Sequence, residues 1–238
     1  MTVATRVGAL HGGLLTALGT RIVSGEYPAG QVLTLDAVGV GHGVSRSVAR
    51  EAIRVLESMG MVESRRRVGI TVQPSTSWNV FDPNVIRWRL DAGDRVAQLE
   101  SLSELRRGFE PAAAALAARR ADPHQCRLMA AAASDMLVHG RAGDLDAYLS
   151  ADLVFHQTLL DASGNEMFRA LTGVVAAVLS GRTQHGMMPE NPNPAAVALH
   201  DDVARAIRMN DAAEAERAMR AIIDEAASAV AEEFTGSG

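Results

Sequence analysis

The chain has 238 residues, with 23 basic against 28 acidic side chains and a formal charge of −5; that length suggests one large or two modest domains. Hydrophobic residues make up 47% and aromatics only 4%, which points to an aliphatic, alanine-rich, helical core. The single cysteine, Cys126, excludes an intramolecular disulfide and a cysteine-cluster zinc site.

Residues 1–8 read as a loose tail. No basic segment leads into a long apolar core there, so no signal peptide is expected, and a cytoplasmic protein is. Leu14, Leu18 and Ile22 mark one face of a first helix that should stop near Gly25. Tyr27-Pro28-Ala29-Gly30 is a turn. Residues 36–43 should form a second helix and turn, although Gly39, Gly41 and Gly43 crowd it and each helical glycine costs about 1 kcal/mol relative to alanine.

The stretch from Val44 to Pro74 carries the densest pattern. Ser45 can cap a helix by accepting from a first-turn N–H. Val48, Ala52, Val55, Leu56 and Met59 share one face. Arg46, Arg50 and Arg54 recur on roughly the opposite face. Ile53 falls on the arginine side and suits contact with the following hairpin or with a thymine methyl. Gly60 can take the left-handed position that ends a helix. Met61-Val62 and Ile70-Thr71-Val72 then flank Arg65-Arg66-Arg67-Val68-Gly69, a hairpin tip. Six arginines against three carboxylates lie between Val44 and Ile70, a basic patch on an acidic chain and the electrostatic mark of a nucleic-acid module. A basic-faced helix followed by a basic hairpin suits a winged helix-turn-helix, with the helix in the major groove of duplex DNA.

Gly43-Val44-Ser45-Arg46-Ser47-Val48-Ala49-Arg50-Glu51-Ala52-Ile53-Arg54-Val55-Leu56, with Gly60-Met61-Val62 and Val68-Gly69-Ile70-Thr71-Val72, resembles the GntR family of bacterial transcription regulators. Pro28-Ala29-Gly30 fits the proline and glycine that precede that family's second helix. The resemblance implies that operator DNA meets Ser45, Arg46, Ser47, Arg50, Arg54, Arg66 and Gly69. It does not extend to Asp36, where family members usually carry a basic phosphate contact.

A polar linker at 74–77 leads to Trp78-Asn79-Val80-Phe81-Asp82-Pro83-Asn84-Val85-Ile86-Arg87-Trp88, a short docking helix with Pro83 in its first turn and both tryptophans as packing anchors. This segment resembles GntR members that respond to sugar acids. From Asp94 onward every strong signal is helical. Pro111 should kink the first long helix. Asp122-Pro123 and Gly143-Asp144 open further helices. Ser163-Gly164-Asn165 ends one, residues 187–194 form a loop, and Asn210-Asp211 divides the last two. The longest apolar run, Val174 to Leu179, is too short to span a bilayer. The expected fold is mostly α: a winged helix-turn-helix over 1–75, a linker and docking helix over 76–93, and a bundle of six or seven helices over 94–238. This resembles the FadR branch of the GntR family, with its helical effector-binding and dimerisation (FCD-type) domain.

Asp152 and His156, four residues apart, project from one helix face, close enough to share an ion or simply to hydrogen-bond each other. By resemblance to the FadR branch, an aspartate and a histidine four residues on form a metal site with two further histidines. The first matches His200; the second falls at Ile222. Asp152, His156 and His200 together suit zinc, nickel, iron or manganese without choosing among them. Glu104-Leu105-Arg106…Glu110-Pro111 matches a family segment whose arginine faces the pocket. Arg106 thereby becomes a candidate clamp for an effector carboxylate, and Glu110 a partner for an arginine. Asn165 and Arg182 complete the candidate effector set, Asn165 being better suited to capping a helix than to ligand contact. The reading is a dimeric, metal-assisted repressor that responds to a small organic acid. A metal-free pocket for an acyl-type effector and, more remotely, a metal-dependent enzyme compete with it.

Overall fold

The structure, a computed structural model, describes residues 3–93, 95–188, 192 and 194–235. The chain folds as two compact units, Met1–Arg95 and Val96–Gly238.

In the first unit, α1 (Val3–Val23) precedes β1 (Val32–Leu33), α2 (Leu35–Gly41), α3 (Arg46–Ser58), β2 (Val62–Arg65), β3 (Gly69–Val72), a single 3₁₀ turn and α4 (Pro83–Asp91). The expected tail is already helical from Val3, whereas Met1 and Thr2 lie outside the described residues. Leu14, Leu18 and Ile22 are buried as their four-residue spacing requires. The glycine-rich α2 forms despite its weak propensity because Thr34 caps it, accepting from Ala37 N at 3.1 Å. A Cβ on Gly39 would lie 3.2 Å from Val44 O, so a small residue suits the turn into α3.

Ser45 caps α3 by accepting from Val48 N. The buried stripe of α3 is Ala49, Ala52, Ile53 and Leu56, while Val48 and Val55 are only half-buried. Ile53, expected on the arginine side, is 3% exposed within the core of this unit. Its burial rules out contact with a thymine methyl. Ala49 and Ala52 are fully buried on the same face. Gly60 ends the element at φ 71°, and a Cβ there would sit 2.2 Å from Ser77 O. The three strands form an antiparallel sheet in the order β1-β3-β2, with Val62 opposite Val72 and Arg65 opposite Gly69. Arg66, Arg67 and Val68 make the exposed tip. Helix α4, capped by Asp82 with Pro83 in its first turn, buries Trp88. The indole lies so close to α1 that a Cβ on Gly19 would come within 2.4 Å of its ring.

The second unit holds α5 (Arg95–Arg120), α6 (Pro123–Ala142), α7 (Leu145–Ala162), α8 (Glu166–Ala170), α9 (Thr172–Gln184), α10 (Pro194–Arg208) and α11 (Ala212–Thr235). Helix α5 continues through buried Pro111. Asp122 and Gln125 form a reciprocal capping box at α6. Asp144 caps α7, and Asn210 at φ 58° separates α10 from α11. Residues 189–191 and 193 of the expected loop lie outside the described residues. Ala113, Ala114, Ala117 and Ala118 bring α5 against a core of Met129, Met136, Phe155, Leu159 and Leu160. Among the described residues, no helix is long and apolar enough to cross a membrane.

Candidate DNA interface and metal centre

The basic helix and hairpin keep their arginines in solvent. Arg46, Arg50 and Arg54 are exposed on α3, and Arg66 is exposed at the hairpin tip. Arg54 donates to Glu51 at 2.7 Å, one turn back, and Arg65 donates to Glu63 at 2.9 Å. Arg46 Nε stands 3.6 Å from Asp36 Oδ1 on α2. Asp36 is therefore a neighbour of the first arginine of the basic helix. Ser45 Oγ and Ser47 Oγ lie 2.9 Å apart at the helix start. Gly69, at φ 118°, lets β3 pass β1 where a Cβ would meet Leu33 O at 2.8 Å. Its place is conformational, in the turn that presents Arg66. Exposed surface ion pairs of this kind are worth little, so DNA phosphates can displace them.

In the second unit, Asp152 and His156 from α7 meet His200 from α10. One ligand atom from each falls within 4.8 Å of the others, and all three residues are buried. His156 Nε2 is 3.3 Å and His200 Nε2 is 3.6 Å from Asp152 Oδ1. Donors bound to one zinc-like ion at about 2.0–2.2 Å stand roughly 3.3 Å apart, so the spacing fits. The chemistry fits as well. Asp152 Oδ1 is buried without a hydrogen bond, and a carboxylate oxygen facing the Nε2 atoms of two imidazoles without directed bonds suits a shared cation.

A ring of buried charge surrounds this triad. Glu110, fully buried, receives Arg106 Nε at 2.5 Å and Arg106 Nη2 at 3.2 Å. Its other face lies 2.9 Å from His156 Nδ1, an ionic contact outside hydrogen-bond geometry. Burial alone would raise the Glu110 pKa, but Arg106 and His156 outweigh it and hold the carboxyl at about 2. Burial would lower that of His156, yet Glu110 and Asp152 lift it to about 9. The two imidazoles overcome burial in the same way and depress Asp152. Arg182, also buried, is lowered by burial and then by the like charge of Arg106.

Arg106, Tyr148, Asp152, His156, Arg182 and His200 line one cavity that opens to solvent. Ile222 lines it too, together with Glu225 one turn further along α11. The structure thus gathers Asp152, His156, His200, Arg106 and Arg182 in one place. Asn165 is not among the lining residues: its Oδ1 accepts from Met167 N at 3.0 Å and caps α8. Arg106 is already engaged by the carboxylate of its own helix. The contact of Glu110 with His156 and the presence of Glu225 both escaped the sequence reading. Neither has a local signal, because 46 residues separate Glu110 from His156 and a single acidic residue on a helix has no distinguishing pattern.

A winged helix-turn-helix in one unit and an all-helical unit enclosing an ionisable cavity in the other are the parts of a DNA-binding transcription regulator with an effector domain. The chain belongs to the GntR family. The model for bacterial regulatory proteins of the gntR family matches residues 13–72, and that for the FCD domain matches residues 101–225. The chain is 28% identical over 212 residues to the galactonate operon transcriptional repressor of Escherichia coli (strain K12), covering 88% of this chain and 92% of that one. It is 31% identical to the HTH-type transcriptional regulator LutR of Bacillus subtilis (strain 168), covering 66% and 70% respectively. Among solved structures, E. coli McbR/YncC shares the fold with a TM-score of 0.55 at 16% identity, covering 94% of this chain and 98% of that one.

Proposed function

We propose that the chain is a cytoplasmic, homodimeric repressor whose affinity for operator DNA is set by a small carboxylate, of the sugar-acid type, bound in the cavity of the second unit beside a divalent transition metal. The observation that carries this reading is the buried Asp152, His156 and His200 triad opening onto a cavity that also contains Arg182. A relative named for the galactonate operon supports a sugar acid, since galactonate is one. The ionisable centre argues against a long acyl chain, which needs a deep apolar tunnel.

Asp152, His156 and His200 would hold the ion. When bound, it supplies a Lewis-acidic point of attachment for an effector oxygen. Glu110 lies against His156 Nδ1, which leaves Nε2 toward Asp152 and the site, and Arg106 neutralises Glu110. Ile222, in place of a fourth imidazole, makes one wall apolar. On the DNA side, Arg46 and Arg50 read base edges near the start of α3, and Arg66 holds the adjacent backbone or minor groove. A dimer gives two half-sites about one helical turn apart, or a multiple of that. Light scattering should find two chains per operator, and a monomer at micromolar concentration would refute the assembly. Effector binding changes operator affinity through a differential affinity for two states, typically about 1–3 kcal/mol.

A metal-free site is the second reading. Ile222 favours it, as does the ability of protonated His156 to sit between Glu110 and Asp152 on its own. Calorimetric metal titration of chelator-treated protein separates the two. The parent should bind one divalent ion per chain, His156→Ala should lose most of the affinity, and Ile222→His should gain. If the parent binds no ion while its operator complex still responds to an organic acid, the triad is structural and the metal-free reading stands.

A further inference from the structure

We infer that the effector carries one carboxylate and no second anionic group, with Arg182 as its anchor and Glu225 as the residue that turns a second carboxylate away. The inference rests on the carboxylate-effector reading above and deepens it to a charge class.

Both arginines lining the cavity are buried, but only one is available to a ligand. Arg106 is not: two of its guanidinium nitrogens already point at Glu110, in the bidentate geometry an effector carboxylate would seek. Glu110 is completely buried behind it, so an incoming acid cannot take over that pair without stranding a buried carboxylate, a strongly unfavourable exchange. Arg182 differs. Its Nε is buried with no hydrogen-bond partner. A guanidinium so placed lacks the directed acceptor that buried polar groups ordinarily have, and its position on the cavity wall lets a ligand supply one.

The anionic groups of the cavity set the other limit. Glu225 lines it from α11, and its charge is felt by both Arg182 and Tyr148. Asp152 faces the cavity from α7. A ligand with carboxylates at both ends would place its second charge beside one of these in a site of low dielectric, where like charges repel strongly. A hydroxyl in the same place would donate to Glu225 instead. The charge balance points the same way. Histidines ligate as neutral imidazoles. With a divalent ion in place, the ion and two arginines carry four positive charges against the three negative charges of Glu110, Asp152 and Glu225. One carboxylate completes the balance; a second overshoots it. Among the described residues, no further cation lines the cavity to receive another anion.

The test uses matched six-carbon polyols differing only at their ends: an aldonate with one carboxylate, the aldarate with two, and the neutral alditol. Matched pairs from glycolate with oxalate upward cover smaller sizes. Calorimetry on the full-length, zinc-loaded protein measures each affinity. At the preferred size the monocarboxylate should bind at least about tenfold more tightly than both partners, the cost of one unmet charged hydrogen bond being about tenfold to a hundredfold. Arg182→Met should bring the monocarboxylate down to the level of the neutral polyol, and Glu225→Gln should narrow the gap between mono- and dicarboxylate. Equal or tighter dicarboxylate binding by the parent overturns the charge assignment without any variant. So does an Arg182→Met protein that keeps its thermal stability and its monocarboxylate affinity. If no acid of either kind binds at any size, the carboxylate-effector reading fails and the inference falls with it, an outcome distinct from binding with the wrong selectivity.

Discussion

Glu110→Gln is the substitution whose cost the structure defines most closely. The carboxylate is fully buried, receives two guanidinium nitrogens from Arg106 and lies against His156. A carboxyl held at about 2 in the fold, against 4.5 unperturbed, is stabilised in its ionised form by about 3 kcal/mol. That agrees with the usual cost of removing one partner of a buried ion pair, about 3–5 kcal/mol, which arises because the remaining charge is stranded. Glutamine keeps the shape and loses the charge, so packing contributes little to the loss. Both tryptophans lie in the first unit, which makes tryptophan fluorescence blind to this change. Hydrogen exchange read by mass spectrometry on peptides of α5 and α7 follows the second unit directly. In metal-free protein at pH 7, their slowest amides should exchange about a hundredfold faster in Glu110→Gln, as 1.4 kcal/mol corresponds to tenfold. The double variant Arg106→Met/Glu110→Gln removes the stranded charge as well and should recover at least half of the loss. Parent-like exchange in the single variant, or no recovery in the double, would refute the assignment of the cost to the stranded arginine.

The same residues set a pH window for the metal-free protein. Because the Glu110 pKa is depressed, its contribution is complete above about 4.5 and disappears as pH falls toward about 2; because that of His156 is raised, its contribution is complete below about 6.5 and disappears as pH rises through about 9. Exchange protection in α7 should therefore peak between about pH 4.5 and 6.5, and metal loading should remove the alkaline limb by replacing the proton. On the DNA side, Arg46→Ala should cost about 1–3 kcal/mol on a cognate operator and relax specificity at one position, while Arg66→Ala should weaken all sequences more evenly and flatten the salt dependence. Binding of Arg46→Ala as tight as the parent's at matched salt would remove α3 from the groove. Gly19→Ala places a Cβ within 2.4 Å of the Trp88 ring and should destabilise the first unit by about 1–3 kcal/mol through overpacking, seen as a lower urea midpoint by tryptophan fluorescence; an unchanged midpoint would mean that α1 and α4 separate at little cost.

Signals that act within a few residues were legible in the chain. The Ser45 cap, the Gly60 stop, the Arg65–Gly69 tip and the Asp122 cap each depend on a side chain and the backbone beside it. Signals set by what packs against an element were not. Ile53 reads as out of place on an amphipathic wheel, yet it is a core residue in one cluster with Ala49, Ala52 and Leu56. The first residues after Met1 and Thr2 read as a tail because glycines and small residues give little helical pattern, yet α1 extends through them.

The site divides along the same line. Asp152 and His156 were visible because one helical turn joins them, and His200 entered only through the family resemblance. Arg106 shows what one-dimensional reading leaves open. Its match to a family segment suggested a ligand clamp, and the acid that occupies it stands four residues away on the same helix, in plain view as Glu110. Spacing alone cannot say whether such a pair faces solvent, where it would yield to any ligand, or lies buried, where it will not. Burial decides that, and it leaves Arg182 as the arginine that the inference above makes the anchor. No helical neighbour marks Arg182 in the sequence, and its qualification is a buried guanidinium nitrogen without a partner. The functional weight of an arginine in such a pocket therefore follows from which acceptors the fold has already given it, a property of the assembled helices and not of any motif.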